Sequence, residues 1–215
     1  MPRSGPPGCD YSIVRVTRSA DLAAKLLLAA LLVSALIWPD LSGIKGKAST
    51  ARLVVYPLGA LVVPLWWLVY GRRRVTRDLS GVGPSYPWTA DLLITLPWLL
   101  DLVGNRLNLF DTITWWDDMM HFLNWGLLTA GALWAWAPRH RVARGLVVMV
   151  GLGFGVTSAV LWELGEYLAF VQTSPEFATA YVDTLGDLAL GALGALLAAL
   201  TVGQLWHRRP GPAAP

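Results

Sequence analysis

Apolar residues fall in six long stretches, at roughly 20–38, 52–70, 86–104, 119–137, 143–171 and 182–206. Each is close to the about 20 residues that a helix needs to cross the hydrocarbon core of a bilayer. The breaks between them are polar, basic or rich in Pro and Gly: Pro39 to Arg52, Gly71 to Pro87, Asn105 to Asp118, Pro138 to Arg144 and Gln172 to Tyr181. The pattern predicts an all-α, polytopic integral membrane protein with about six transmembrane helices in one bundle. It divides the chain into a tail at 1–19, a transmembrane domain at 20–206 and a tail at 207–215, with no second domain, low-complexity tract or internal repeat.

Composition points the same way. The chain of 215 residues is 55% hydrophobic and 14% charged, with a mean hydropathy of +0.50, whereas a soluble domain carries about 25% charge. Of its 12 Trp, many sit near predicted span ends (Trp38, Trp66, Trp67, Trp88, Trp115, Trp116 and Trp206), as an aromatic belt requires. The net charge of +3 comes with no basic stripe interleaved with aromatics, so no nucleic-acid partner is expected. The single Cys9 excludes an internal disulfide and a Cys-based zinc cluster. Cys9 follows Pro-Pro-Gly with no apolar run before it, unlike a lipoprotein cleavage site. The first apolar run is long enough to remain as an anchor rather than be removed as a signal peptide.

Lys and Arg set the expected orientation. One side of the membrane receives Arg3, Arg15, Arg18 and Lys25, then Arg72, Arg73, Arg74 and Arg77, then Arg139, Arg141 and Arg144, and finally Arg208 and Arg209. The other side receives Lys45, Lys47, Arg52 and Arg106. Both termini are therefore expected in the cytoplasm of a multi-pass cell-membrane protein. By parity, the start of span four, the end of span five and the start of span six then lie together on the extracytoplasmic side.

Those three places carry acids. They are Asp117-Asp118-x-x-His121, Glu163-x-x-Glu166 and Asp183-x-x-x-Asp187, and Asp101 near the end of span three joins the same layer. Ionisable groups at membrane depth are costly and mark function by default. Residues three or four apart share one helix face, so each cluster aims its ligands in one direction. A carboxylate and an imidazole three apart, as in Asp118 and His121, can hold one ion together. Glu163 and Glu166 cannot both stay ionised in lipid without a cation, a shared proton or a neighbouring His⁺, and Tyr167 is placed to donate to Glu163. The expected metal ligands are Asp118, His121, Glu163, Glu166 and Asp187, with Asn124 nearby. Asp117 and Asp183 serve as general base or orient a ligand. Hard oxygen ligands favour Mg²⁺, Mn²⁺ or Ca²⁺, and one His admits Zn²⁺ or Fe²⁺. The number of acids allows two metals, an arrangement suited to phosphoryl and ester hydrolysis. The competing reading is capping: Asp117 or Asp118, and Asp183 or Thr184, are good residues for a helix N-terminus. Asp187 is too deep for that.

Other features read as packing. Gly151-Leu-Gly153-Phe-Gly155 lies inside a span with no strand before it, so it is not a nucleotide fingerprint. Close helix approach accounts for these glycines and for Gly186, Gly191, Gly194 and Ala198. Trp125 and Trp162 fall near the acids and are candidates to line a cavity. His140 is expected in a solvated loop. Asp91 either caps span three or faces a cavity on the cytoplasmic side.

Trp116-Asp117-Asp118-Met119-Met120-His121-Phe122, Trp162-Glu163-Leu164-Gly165-Glu166 and Asp183-Thr184-Leu185-Gly186-Asp187, in this order, resemble the YjdF-like family of bacterial inner-membrane proteins. The Asp-x-x-x-His-Phe element is also similar to VanZ-like proteins, a family linked to glycopeptide-antibiotic tolerance. The resemblance covers residues 50 to 205 and implies a polytopic membrane protein without implying a mechanism. Membrane transferases of prenyl diphosphates and activated phospholipids share the Asp-x-x-x-Asp spacing of Asp183 and Asp187, but the phospholipid motif's Asp-Gly and Ala-Arg parts are missing here.

Three functions fit these residues. The first is a metal-dependent hydrolase or transferase acting on a lipid or lipid-linked phosphate at the outer leaflet, with membrane lipid as its partner. The second is a cation- or proton-coupled transporter, which needs carboxylates at the other face too. The third is an accessory membrane protein whose acidic patch binds a partner. Metal uptake, ion-driven flux in proteoliposomes, and partner binding by ligand-deficient mutants discriminate among them.

Overall fold

The computed structural model describes residues 11–41, 43–45, 47–71, 86–136 and 142–208. Arg3, Cys9, Arg72, Arg73, Arg74, Arg77, Arg139, His140, Arg141 and Arg209 lie outside the described residues. Regular structure among the described residues is helical throughout. Six long helices match the six apolar stretches. They are α1 (Tyr11–Ile37), α2 (Ser49–Trp66), α3 (Trp88–Arg106), α5 (Trp116–Trp136), α6 (Arg144–Ala169) and α7 (Ala180–Arg208), with a single-turn α4 (Leu109–Thr112) before α5. The helix α1 begins at Tyr11, within the segment read as a tail, because Arg15 and Arg18 are good helix formers that an apolar window passes over, and Thr17 turns its hydroxyl back to the Ile13 carbonyl. Pro57 and Pro64 each remove one backbone donor from α2, which ends in a π-helical turn at Trp67–Gly71.

Four of these helices are long and apolar enough to cross a membrane: Ser12–Ile37, Ser49–Gly71, Arg144–Thr173 and Ala180–Trp206. Their apolar side chains face outward. Leu26, Met149, Leu168 and Val182 are each at least two-thirds exposed, an exterior that suits lipid and not water. The remaining two, α3 and α5, carry Asp91, Asp101, Asn105, Asp117, Asp118, His121 and Asn124, which lowers their hydropathy. They lie inside the bundle, packed on each other, and so can carry polar residues that a lipid-facing helix could not.

The packing forms two three-helix halves. In the first, α3 packs against both α1 and α2, around Leu28, Ile44, Tyr56, Leu99 and Leu102. In the second, α5, α6 and α7 pack on one another, with Leu133, Val147, Ala199 and Val202 buried toward the far end. The α3–α5 contact joins the halves, and α2 does not pack along α6. Small residues set the approach of α7. Gly151 and Gly155 of α6 receive Ala199 and Ala195, and Gly191 receives the Trp125 ring. Gly194 meets the Phe122 carbonyl. Gly153 and Gly186 face open space, so close packing does not account for them. Between α1 and α2 the chain turns at Gly43, whose φ of +75° and contact with the Asn105 carbonyl leave no room for a side chain.

Candidate functional site

His121, in the second turn of α5, is the hub of the acidic layer. Its Nε2 lies 3.6 Å from Asp117 Oδ1, one turn earlier on the same helix, and 3.7 Å from Asp187 Oδ1 of α7. Its Nδ1 lies 3.6 Å from Glu163 Oε1 of α6 and has no hydrogen-bond partner. Two sets of three ligand atoms result: Asp117, His121 and Asp187, and His121, Glu163 and Glu166. In each set the ligand atoms lie within 4.8 Å of one another.

The two sets are not equivalent. Trp162 donates to Glu166 at 3.0 Å, and the Arg52 guanidinium stands 3.7 Å from the other Glu166 oxygen. Thr184 donates to Glu163 at 3.3 Å. Among the described residues nothing donates to the carboxylates of Asp117 or Asp187; the Asp117 side chain is 44% exposed and open to water, but that of Asp187 is only 6% exposed. A buried carboxylate with no donor needs a cation or a proton. A neutral imidazole has one acceptor nitrogen and one N–H. A metal at Nε2 with Asp117 and Asp187 leaves Nδ1–H to point at Glu163, the usual way a ligating His is oriented by a carboxylate.

The sequence placed five ligands, and four of them, His121, Glu163, Glu166 and Asp187, converge. Asp118 is exposed and joins neither set, while Asp117 takes the place beside His121. The reason is helical rotation: positions three and four before His121 lie on opposite sides of it. The side of Asp117 faces the approach of α7. Asp183 is exposed in the first turn of α7, at the mouth of a polar pocket of about 340 Å³. Asn124 lines the same pocket, with a buried side-chain oxygen that has no partner. Tyr167 does not reach Glu163; it is 41% exposed and its ring packs near Phe177. Trp125 and Trp162 both line the pocket.

Arg52 was visible in the sequence only as a loop charge, yet it is buried and bridges the halves. It donates to the Tyr56 hydroxyl at 2.9 Å and stands 3.4 Å from Asp101. It also donates to the Lys47 carbonyl. Tyr56 donates to Asp101 in turn, and Asn105 donates to the same carboxylate at 3.2 Å. Asp101 is thus committed to Arg52 and Tyr56. Lys47 pairs with Asp111 at 2.6 Å and Lys45 with Asp40, so three of the four cations expected on this side, Lys45, Lys47 and Arg52, have acidic partners.

A second polar cluster lies at the opposite end. Lys25 of α1 bridges Asp21 at 2.5 Å and Asp91 of α3 at 2.7 Å, and both carboxylates are 1% exposed. Tyr86 donates to Asp91 at 2.5 Å and Thr95 to Asp21 at 3.4 Å. Asp91 therefore belongs to a buried ion-paired cluster, and Lys25, well inside the apolar helix Ser12–Ile37, pairs within the bundle rather than flanking a span.

No curated protein matches the chain, and no solved structure does. The apolar exterior and the polar residues confined to the inner helices agree with a match over nearly the whole sequence: the family model matches residues 23–209, and the chain belongs to the DUF2238 family of predicted membrane proteins.

Proposed function

We propose that this protein crosses the membrane six times with both termini in the cytoplasm. On this reading it holds a divalent metal (Mg²⁺, Mn²⁺ or Zn²⁺) in an extracytoplasmic site and hydrolyses or transfers a lipid or lipid-linked phosphate. In the same reading it is YjdF-like, as its three motifs in order support. The observation that carries the proposal is the meeting of Asp117, His121 and Asp187 from two helices, with no hydrogen-bond donor to either carboxylate among the described residues. Glu163 and Glu166 complete the layer, and Glu163 orients the imidazole or binds a second ion. A bound divalent ion supplies charge stabilisation to phosphoryl oxygens. Asp183, exposed at the pocket mouth, is the carboxylate free to take a proton from an attacking water. The test is phosphate release from a lipid phosphate by protein in detergent, with Mn²⁺ and with chelator. Release that needs Mn²⁺ and is lost in Asp187→Asn supports the reading; metal-independent release, or none with any divalent ion, sinks it.

The transporter reading draws support from the cluster of Asp21, Lys25 and Asp91, because it needs ionisable groups at both ends. From Asp91 to Asp101 the helix rises about 15 Å, and buried Ile94, Thr95 and Leu99 occupy that interval. Proton or cation flux in proteoliposomes, abolished by Asp91→Asn, would favour this reading over the enzyme.

A further inference from the structure

An apolar cavity of about 910 Å³ lies between α2, α3, α5 and α6, within the range of about 300–1,000 Å³ typical of ligand sites. Its lining runs from Ala51 to Trp66 on α2 and from Phe154 to Ala169 on α6, a rise of about 22 Å on each helix. The space exists because Ala51, Ala132 and Gly165 stand where larger side chains would close it, while Gly59 lets the Trp98 ring lie flat against α2. It lies where α2 and α6 fail to pack along each other, in the gap between the halves. At the site end it runs into the polar pocket, sharing Arg52, Trp98, Trp162 and Glu166 with it.

We propose that this groove binds the hydrocarbon chain of a long-chain lipid phosphate, polyprenyl phosphate in type, whose phosphate sits in the polar pocket. Length bounds the chain from below: a groove of about 22 Å exceeds the about 15 Å depth of one leaflet of the hydrocarbon core, so the chain that fills it is extended past the bilayer midplane, and an extended acyl chain is the competitor to the polyprenyl one. Charge sets the head class, and this step rests on the metal reading above. The polar pocket is lined by the carboxylates Asp101, Asp111, Asp117, Glu166, Glu176 and Asp183, against Lys47 and Arg52. Such a pocket repels a phosphate when bare and attracts it once divalent ions are held, so chain and metal act together to retain one ligand.

The experiment is native mass spectrometry of the full chain in detergent with Mn²⁺, offered a long-chain polyprenyl phosphate, farnesyl phosphate or phosphatidic acid. The variants are Ala132→Phe and Ser158→Phe, which fill the groove from α5 and α6, with Leu197→Phe on the exposed side of α7 as control. The expected result is retention of the long chain at least about tenfold better than farnesyl phosphate, given the gain per buried methylene. Both groove variants lose that preference while keeping Mn²⁺, and the control keeps both. Equal retention of long and short chains by the wild type overturns the groove proposal whether or not the variants fold, and leaves the metal reading standing if Mn²⁺ is bound. Preference for phosphatidic acid over the polyprenyl chain also overturns it. A length preference without any Mn²⁺ uptake keeps the chain in the groove but overturns both the metal reading and the seat of the phosphate in the polar pocket.

Discussion

A methyl group on Gly194 would stand 2.0 Å from the carbonyl oxygen of Phe122, so α5 and α7 meet backbone to backbone at that point. Phe122 follows His121, and Gly194 lies about two turns beyond Asp187. The crossing therefore sets how near the Asp187 carboxylate comes to the imidazole. Small residues at a contact allow this approach in a bilayer, where burial of apolar surface gives little drive between helices. Gly194→Ala should lower the thermal midpoint in detergent, with a cost of about 1–3 kcal/mol for overpacking. Gly186→Ala, whose methyl would meet open space, should leave the midpoint unchanged or raise it, since Ala is the better helix former. Equal effects of the two substitutions would contradict the crossing.

Lys25 pairs with two buried carboxylates at once. Lys25→Met should destabilise the protein strongly, by about 3–5 kcal/mol if both acids stay ionised, and by less where one takes up a proton. Adding Asp91→Asn to Lys25→Met should restore part of the loss, because it removes one uncompensated charge. Thermal unfolding of the single and double variants checks this. A double variant less stable than Lys25→Met would show that Asp91 does not depend on Lys25.

Asp101 and Asp187 are both carboxylates of the same layer, but only Asp187 lacks a donor. Asp101→Asn should weaken the link between α2 and α3 that runs through Arg52 and Tyr56, lowering the thermal midpoint while metal content is kept. Asp187→Asn should do the reverse: metal is lost, and in chelator its midpoint equals or exceeds that of the wild type, because an uncompensated buried charge is gone. Metal analysis beside thermal unfolding of the two variants separates them.

The proposed orientation places the connection between α6 and α7 outside the cytoplasm. With Cys9→Ser as background, Ala178→Cys, at an exposed position in this connection, should react with a membrane-impermeant thiol reagent in intact cells. Labelling only after the membrane is broken would invert the topology.

The six long helices were legible because each is an apolar run ended by a Pro, Gly or charged break, and the acidic layer because the three motifs recur at membrane depth. Helix rotation was not legible. Asp117 and Asp118 are neighbours in sequence, and only the packing of α7 on α5 decides which one faces Asp187. The same holds for the glycines: Gly151 and Gly155 meet α7, while Gly153 between them does not. Long-range pairing was hidden too. Lys25 was counted among the charges flanking the first span, and nothing near it in the sequence announces Asp91 as its partner. Arg52 was counted as a loop charge because the start of α2 is apolar around it, and a lone Arg heading such a stretch was the signal that it has acidic partners.

Metal content of detergent-purified protein tests the central claim most directly, measured by mass spectrometry on the wild type beside Asp117→Asn, Asp118→Asn and Asp187→Asn. The account predicts near-stoichiometric divalent metal in the wild type and in Asp118→Asn, and its loss in Asp117→Asn and Asp187→Asn. A wild type that takes up no Mg²⁺, Mn²⁺ or Zn²⁺, or metal that survives both Asp117→Asn and Asp187→Asn, would contradict it.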